Sequence, residues 1–126
     1  MREPNFSCVI FDLDGTLADT AGAIARTIRT AIAEAGYPAP SQEAALSTVG
    51  RPLDEAFRAL IPAHGWAQVP ACITAYRELY DRAVVPATVL FPGVPETLEA
   101  CSAAGLRLAV ATTKLTRIAL TTLRHC

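Results

Sequence analysis

The amino-acid sequence predicts an α/β fold, a small parallel sheet interrupted by a helical insertion, and three observations carry that prediction. Cys8-Val9-Ile10-Phe11 is a short, β-favouring apolar run ending at an abrupt polar change, the pattern of a strand buried on both faces of a parallel sheet. Residues 20–85 show helical spacing and no strand pattern. Leu106–Thr112, "LRLAVAT", is a second run of strand length, and it follows a segment with helix start and stop signals. A helix between two such strands implies a parallel pair with a right-handed crossover. The core is therefore expected in two pieces, 1–18 and 86–126, around a four-helix insert at 19–85.

Taken in order, the helical elements have identifiable causes. Ile24, Ile28 and Ile32 recur at intervals of four, Arg26 and Arg29 lie off that stripe, and Gly36 with Pro38 closes an amphipathic helix. Ser41 is placed to cap a short helix through about Thr48, and Pro52 suits the first turn of a third that carries Leu53, Phe57 and Leu60. Pro70 opens a fourth, with Ile73, Tyr76, Tyr80 and Ala83 on one side. Beyond "VVPATVLFPG", Pro95 stands at a helix start, Glu96 and Glu99 fall in its early turns, Leu98 lies on its apolar side and Gly105 ends it. After Thr112, "TKLTRIALTTL" reads as a helix with Leu115, Ile118, Ala119 and Leu123 on one face, and Thr113 can cap it.

Composition narrows the function classes. With 126 residues, 52% apolar character and a net charge of −1, the chain suits one ordinary globular domain or part of a larger one. Its 11 basic residues are scattered among 12 acidic ones without a basic run, so neither nucleic acid nor an anionic membrane is the expected partner. A small molecule is. "MREPNFSC" mixes charges with a proline, no apolar segment of leader length follows, and no window approaches a membrane span, so a cytoplasmic protein is expected. Cys8, Cys72, Cys101 and Cys126 are widely separated, with no C-x-x-C pair and no His at a ligand interval. They read as reduced, mostly buried thiols, with Cys126 the exposed one.

The chemistry concentrates in Phe11–Thr20, "FDLDGTLADT". Two carboxylates, Asp12 and Asp14, sit one residue apart at the carboxyl end of the first strand, where open α/β sheets bind ligands because the departing loops meet helix N-termini there. An Asp-Gly pair alone would be an ordinary turn. On a strand end, with a second strand ending at Thr112, it reads as a nucleophile and its acid/base partner in phosphoryl transfer.

"DLDGTLADT" resembles the first motif of the haloacid dehalogenase superfamily, the aspartate-nucleophile phosphohydrolases, and within it the subgroup with a helical cap that includes phosphoglycolate phosphatase. "FPGVPETLEACSAAGLRLAVATTK" resembles that family's second block. The resemblance implies a Rossmann-like core, of which about two strands are present, with residues 19–85 as the cap. It implies that Asp12 attacks phosphorus in line to form an aspartyl-phosphate, while Mg²⁺, held by Asp12 and Asp14, offsets the repulsion between the two anions. Asp14 protonates the leaving alkoxide and then deprotonates the hydrolytic water. Gly15 permits the sharp turn, and Thr16 braces the loop facing the phosphate.

Thr112 stands where the family has a Ser or Thr that binds the transferring phosphoryl group. Thr113, where relatives often carry Asn, keeps a main-chain donor there. Lys114 is open between substrate contact and a solvated first-turn position. In the insert, "TVGRPLDEAF" resembles the cap loop that reaches over the active site, with Gly50 allowing close approach and Arg51 available to a substrate carboxylate or a second phosphate, or else simply a surface arginine. His64 reads as a loop residue, Trp66 as packing within the cap, and His125 is given no role.

The resemblance also implies a third block with a lysine and a later acidic pair, neither of which follows. Lys114 is the sole lysine, and no Asp or Glu occurs after Glu99. The expectation is an N-terminal portion of a Mg²⁺-dependent phosphatase of the phosphoglycolate phosphatase type, inactive alone, acting on a small phosphorylated metabolite with a missing C-terminal half or by self-association. The alternatives are a phosphosugar mutase or phosphonate hydrolase of the same superfamily, or a non-catalytic remnant or binding module.

Overall fold

The computed structural model describes residues 5–126; the N-terminal residues 1–4, on which the reading of the leader region partly rests, lie outside the described residues. The chain runs β1 (Cys8–Phe11), β2 (Ala18–Asp19), α1 (Ala21–Glu34), α2 (Gln42–Leu46) and α3 (Leu53–Leu60). A 3₁₀ turn (Ala63–Gln68) follows, then α4 (Val69–Ala87), β3 (Val89–Leu90), α5 (Val94–Ala103), β4 (Arg107–Val110) and α6 (Thr116–His125). It divides into two units, Met1–Asp19 with Thr88–Cys126, and Thr20–Ala87.

In the first unit β1 and β4 pair in parallel, from Cys8 opposite Arg107 to Phe11 opposite Val110. This is the parallel pair that the intervening helix implied. Leu13, Leu17, Ala18 and Ala119 form the buried cluster, with Phe11, Val94 and Leu98 packed against it. A second ladder, absent from the sequence reading, pairs Ala18 with Leu90 and Asp19 with Val89 in antiparallel fashion. Strands of two residues are too short to show a period of two, so no pattern marks them.

Three expectations for this unit need correction. The strands are not buried on both faces: Ile10 is 66% exposed, and every residue of β4 is exposed. A parallel strand is buried by neighbours on both sides and helices on both faces, and this sheet has two strands among the described residues. The last helix begins at Thr116, not directly after Thr112, and Leu115, which offers no side-chain cap, holds its N-cap position in place of Thr113. Here the Thr112 hydroxyl accepts the Lys114 N–H at 3.1 Å, a local bond that competes with helix initiation. The thiols are also less buried than expected: of the four, Cys72 alone, in the other unit, is buried.

The second unit is helical. Ser41 caps α2 by accepting the Ala44 N–H at 3.0 Å, as its position before the helix suggests. The buried side of α4 carries Val69, Cys72, Tyr76, Tyr80 and Val84, which shifts the stripe off Ile73 and Ala83. Phe57 of α3 is fully buried, with its ring edge-on to Tyr76 at 6.2 Å, and Tyr76 meets Tyr80 at 5.7 Å. Trp66 does not pack inside. It is 41% exposed, donates its Nε1–H to the Arg58 and Ile61 carbonyls at 3.2 Å, and lies beneath the Arg58 guanidinium. Those two carbonyls, the second just beyond the end of α3, draw the indole outward by supplying the partners its N–H needs. Among the described residues no helix is long and apolar enough to cross a membrane.

Truncating the aromatic centre tests this packing. Phe57→Ala is expected to cost about 3–5 kcal/mol, read from the denaturant midpoint, because the site loses both transfer energy and edge contacts. A cost of about 0.5 kcal/mol or less, the range of surface changes, would show that the cluster does not hold the unit together. Burial also pushes the Cys72 thiol up from its ordinary value. Burial pushes the Cys126 thiol up as well, so accessibility separates the two: Cys72 is buried and Cys126 exposed, and iodoacetamide at neutral pH is expected to spare Cys72 in the folded protein while modifying Cys126; equal rates at both would contradict the packing of α4.

Candidate active site

The loop after β1 is organised around one residue. The Leu13 side chain is fully buried, and its carbonyl accepts N–H groups from Thr16 at 3.3 Å, Leu17 at 3.0 Å and Ala18 at 3.0 Å. Gly15, at φ +77°, makes the reversal and donates its own N–H to the Ala18 carbonyl at 2.9 Å. A positive φ costs a side-chain-bearing residue strain that glycine avoids, which explains the glycine of the Asp-Gly-Thr triplet. With Leu13 turned into the core, its neighbours face outward: Asp12 is exposed and Asp14 is partly so. The Asp12 Oδ1 accepts the Leu13 N–H at 2.8 Å, which fixes the carboxylate at the strand's end.

The end of β4 lies beside it. The Ala111 N–H donates to the Phe11 carbonyl at 2.9 Å, carrying the parallel ladder one step past both strands, so Asp12 and Thr112 leave from the same edge of the sheet. Thr112 is half-buried and Thr113 exposed. Lys114 returns toward the first loop, and its Nζ lies 2.8 Å from the Asp14 Oδ1. The solvated first-turn alternative for Lys114 is thereby excluded, since its side chain is only 8% exposed. The two partners are 100 residues apart in the chain, and no local pattern announces such a contact. The sole hint available from sequence was that both strands end at the same edge.

Thr16 is exposed and borders a cleft of about 250 Å³ formed with Leu17, Val94 and Leu98. Gly50 and Arg51 belong to the helical unit. Gly50 takes φ +94°, and the Arg51 N–H closes the turn on the Thr48 carbonyl at 3.1 Å, leaving the arginine exposed.

The loop supplies oxygen donors of the kind a hard cation takes, the Asp12 carboxylate and the main-chain carbonyl of Asp14. Among the described residues no group of three or more His, Cys, Asp or Glu could hold a metal ion. The donors fit such a cation in kind; two of them leave the rest of an octahedral shell to other ligands.

Comparison with known proteins agrees with this arrangement. The tyrosine-protein kinase PtkA of Mycobacterium tuberculosis is 40% identical over 118 residues, which cover 93% of this chain and 39% of PtkA. A phosphoglycolate phosphatase of Caulobacter vibrioides is 30% identical over 122 residues, 94% of this chain and 52% of that enzyme. The chain thus spans about half or less of the length of these curated relatives. A solved haloacid dehalogenase-like hydrolase from Streptococcus pneumoniae superposes with a TM-score of 0.84 at 28% identity, over 94% of this chain and 54% of its own. The family model for haloacid dehalogenase-like hydrolases matches residues 9–126, from the first strand through the last helix, and with the aspartate loop and paired strand ends in place the chain belongs to that family.

Proposed function

We propose that this chain carries the nucleophile half of a phosphomonoester hydrolase of the phosphoglycolate phosphatase type. The observation that carries the reading is the placement of Asp12 and Asp14 on either side of a buried Leu13, at the strand edge from which Thr112 also departs. In the first half-reaction an Asp12 carboxylate oxygen forms a bond to phosphorus as the bond to the leaving oxygen breaks, and Asp14 gives that oxygen a proton. In the second, Asp14 takes a proton from water, the water oxygen bonds to phosphorus, and the Asp12–phosphorus bond breaks to release inorganic phosphate.

The Thr112 hydroxyl and the Thr113 main-chain N–H donate to the phosphoryl oxygens, and Thr16 braces the loop. Asp12 and the Asp14 carbonyl would hold Mg²⁺, which would supply positive charge to offset the repulsion between carboxylate and phosphate. Small phosphorylated metabolites are the substrate class, and Arg51, exposed after a glycine turn, reads the non-reacting anionic end.

A second reading has one observation in its favour. PtkA, 40% identical, is named a tyrosine-protein kinase, so an acceptor other than water would take the phosphoryl group from Asp12. Release of inorganic phosphate against transfer to a tyrosine-containing acceptor separates the two.

In the protein that carries these residues, Asp12→Asn keeps the shape and removes the nucleophile, so phosphomonoester turnover is expected to fall to background. Near-normal turnover in that variant would end the aspartyl-phosphate reading. Arg51→Ala is expected to lower kcat/KM for phosphoglycolate about tenfold more than for an uncharged aryl phosphate, since the arginine's partner is a second anionic group. Equal losses would return Arg51 to a structural role.

A further inference from the structure

Helix α1 carries a charged feature that the aspartate loop does not use. Arg26, Arg29, Thr30, Ala33 and Glu34 follow one another at i, i+3, i+4, i+7 and i+8, so they share one face of the helix, opposite the buried Ile28 and Ile32. With Ala39 they line a groove of about 550 Å³ that lies wholly within the helical unit. Its wall is tied to its floor: the Arg29 Nε–H donates to the Pro40 carbonyl at 2.7 Å, and Pro38 and Pro40 restrict the backbone on either side of Ala39. A guanidinium held through Nε still presents its two terminal nitrogens as a fork, the geometry that suits a carboxylate or a phosphate.

Charge in this groove is not balanced locally. Arg26 and Arg29 are three residues apart, a spacing at which side chains on a helix meet and like charges repel, and no acidic residue stands three or four places from either. Among the described residues neither arginine is ion-paired. Glu34 is placed at i+4 from Thr30, about 7 Å further along the axis than Arg29. The Thr30 hydroxyl donates to the Arg26 carbonyl at 3.0 Å, so it has only acceptor capacity left for a ligand. One end of the groove is therefore cationic, and the other offers acceptors and a negative charge.

We propose that this groove binds a small anionic amino acid, with its phosphate or carboxylate on Arg26 and Arg29 and its ammonium on Glu34. The anion relieves the repulsion between the two guanidiniums, and the ammonium gives Glu34 a counter-charge. A plain polyanion satisfies the first demand and violates the second. The proposal is independent of the hydrolase reading, because its residues all belong to the helical unit and no bond is made or broken.

Binding to the full chain, read from amide chemical shifts, tests it. Shifts at Thr30, Ala33 and Ala39 report the groove and those at Gly15 the aspartate loop, so that failure of either reading leaves the other legible. O-phosphoserine is expected to shift the groove amides with a Kd of about 1 mM or tighter. Phosphoglycolate, more negative and without an ammonium, is expected to bind there about fivefold more weakly, the reverse of what unspecific attraction to two arginines would give. Arg26→Gln is expected to weaken O-phosphoserine about tenfold, and Arg29→Lys, which keeps the charge and loses the fork, about threefold. Glu34→Gln is expected to erase the preference over phosphoglycolate, while Arg77→Gln, exposed on α4 outside the groove, is expected to change nothing. L-glutamate matching O-phosphoserine would support the proposal with carboxylate as the oxyanion read, and binding of O-phosphoserine alone would support it with phosphate. No shift of the groove amides at about 10 mM O-phosphoserine, tighter binding of phosphoglycolate, or affinity unmoved by Arg26→Gln would each overturn it.

Discussion

Burial of Leu13 is the constraint on which the candidate site depends. Its side chain joins Leu17, Ala18 and Ala119 in the core of the first unit, while its carbonyl collects three backbone N–H groups from the residues that follow. Side chain and main chain thus fix the same point, one by removing apolar surface from water and the other by satisfying donors that would otherwise be orphaned in a tight loop. The two aspartates owe their outward placement to that anchor. A strand end that did not bury its next residue would leave both carboxylates without a defined direction, and catalysis by oriented charge depends on direction.

A second consequence follows from how the loop meets β4. Parallel pairing of β1 with β4 brings Thr112 and Lys114 to the edge from which Asp12 and Asp14 emerge, across about a hundred residues of intervening chain. Long-range parallel pairing carries a loop-closure cost that grows slowly with length, so a large helical insertion between the strands is tolerated. The helical unit has its own packed centre at Phe57, Tyr76 and Tyr80.

The exposed apolar residues of the sheet belong to the same account. Ile10, Leu108 and Val110 are apolar on an open two-stranded sheet, as strands suited to burial on both faces would be. Their residue types follow the demands of a wider parallel sheet, while their exposure follows from the neighbours present among the described residues. Choosing β-branched and aliphatic side chains is a local matter, but covering them is not.

The sequence by itself determined most of the elements and the motif that marks the candidate site. The apolar run at Cys8–Phe11, the caps and stops at Ser41, Pro52 and Gly105, and the D-x-D-G-T spacing are local patterns, each set by backbone sterics, hydrogen-bond supply or side-chain period within a few residues. Where an element was too short to show a period, as in β2 and β3, or where a side chain bonded its own backbone, as Thr112 does before α6, the local signal was missing or misleading. The tertiary structure alone decided which distant groups meet. It paired Lys114, open in sequence between substrate contact and a solvated first-turn position, with Asp14, moved Trp66 to the surface and left Ile10 in water. The physical reason is common to all three: burial and ion pairing depend on what other segments bring to a point in space, and no window of neighbouring residues contains that information.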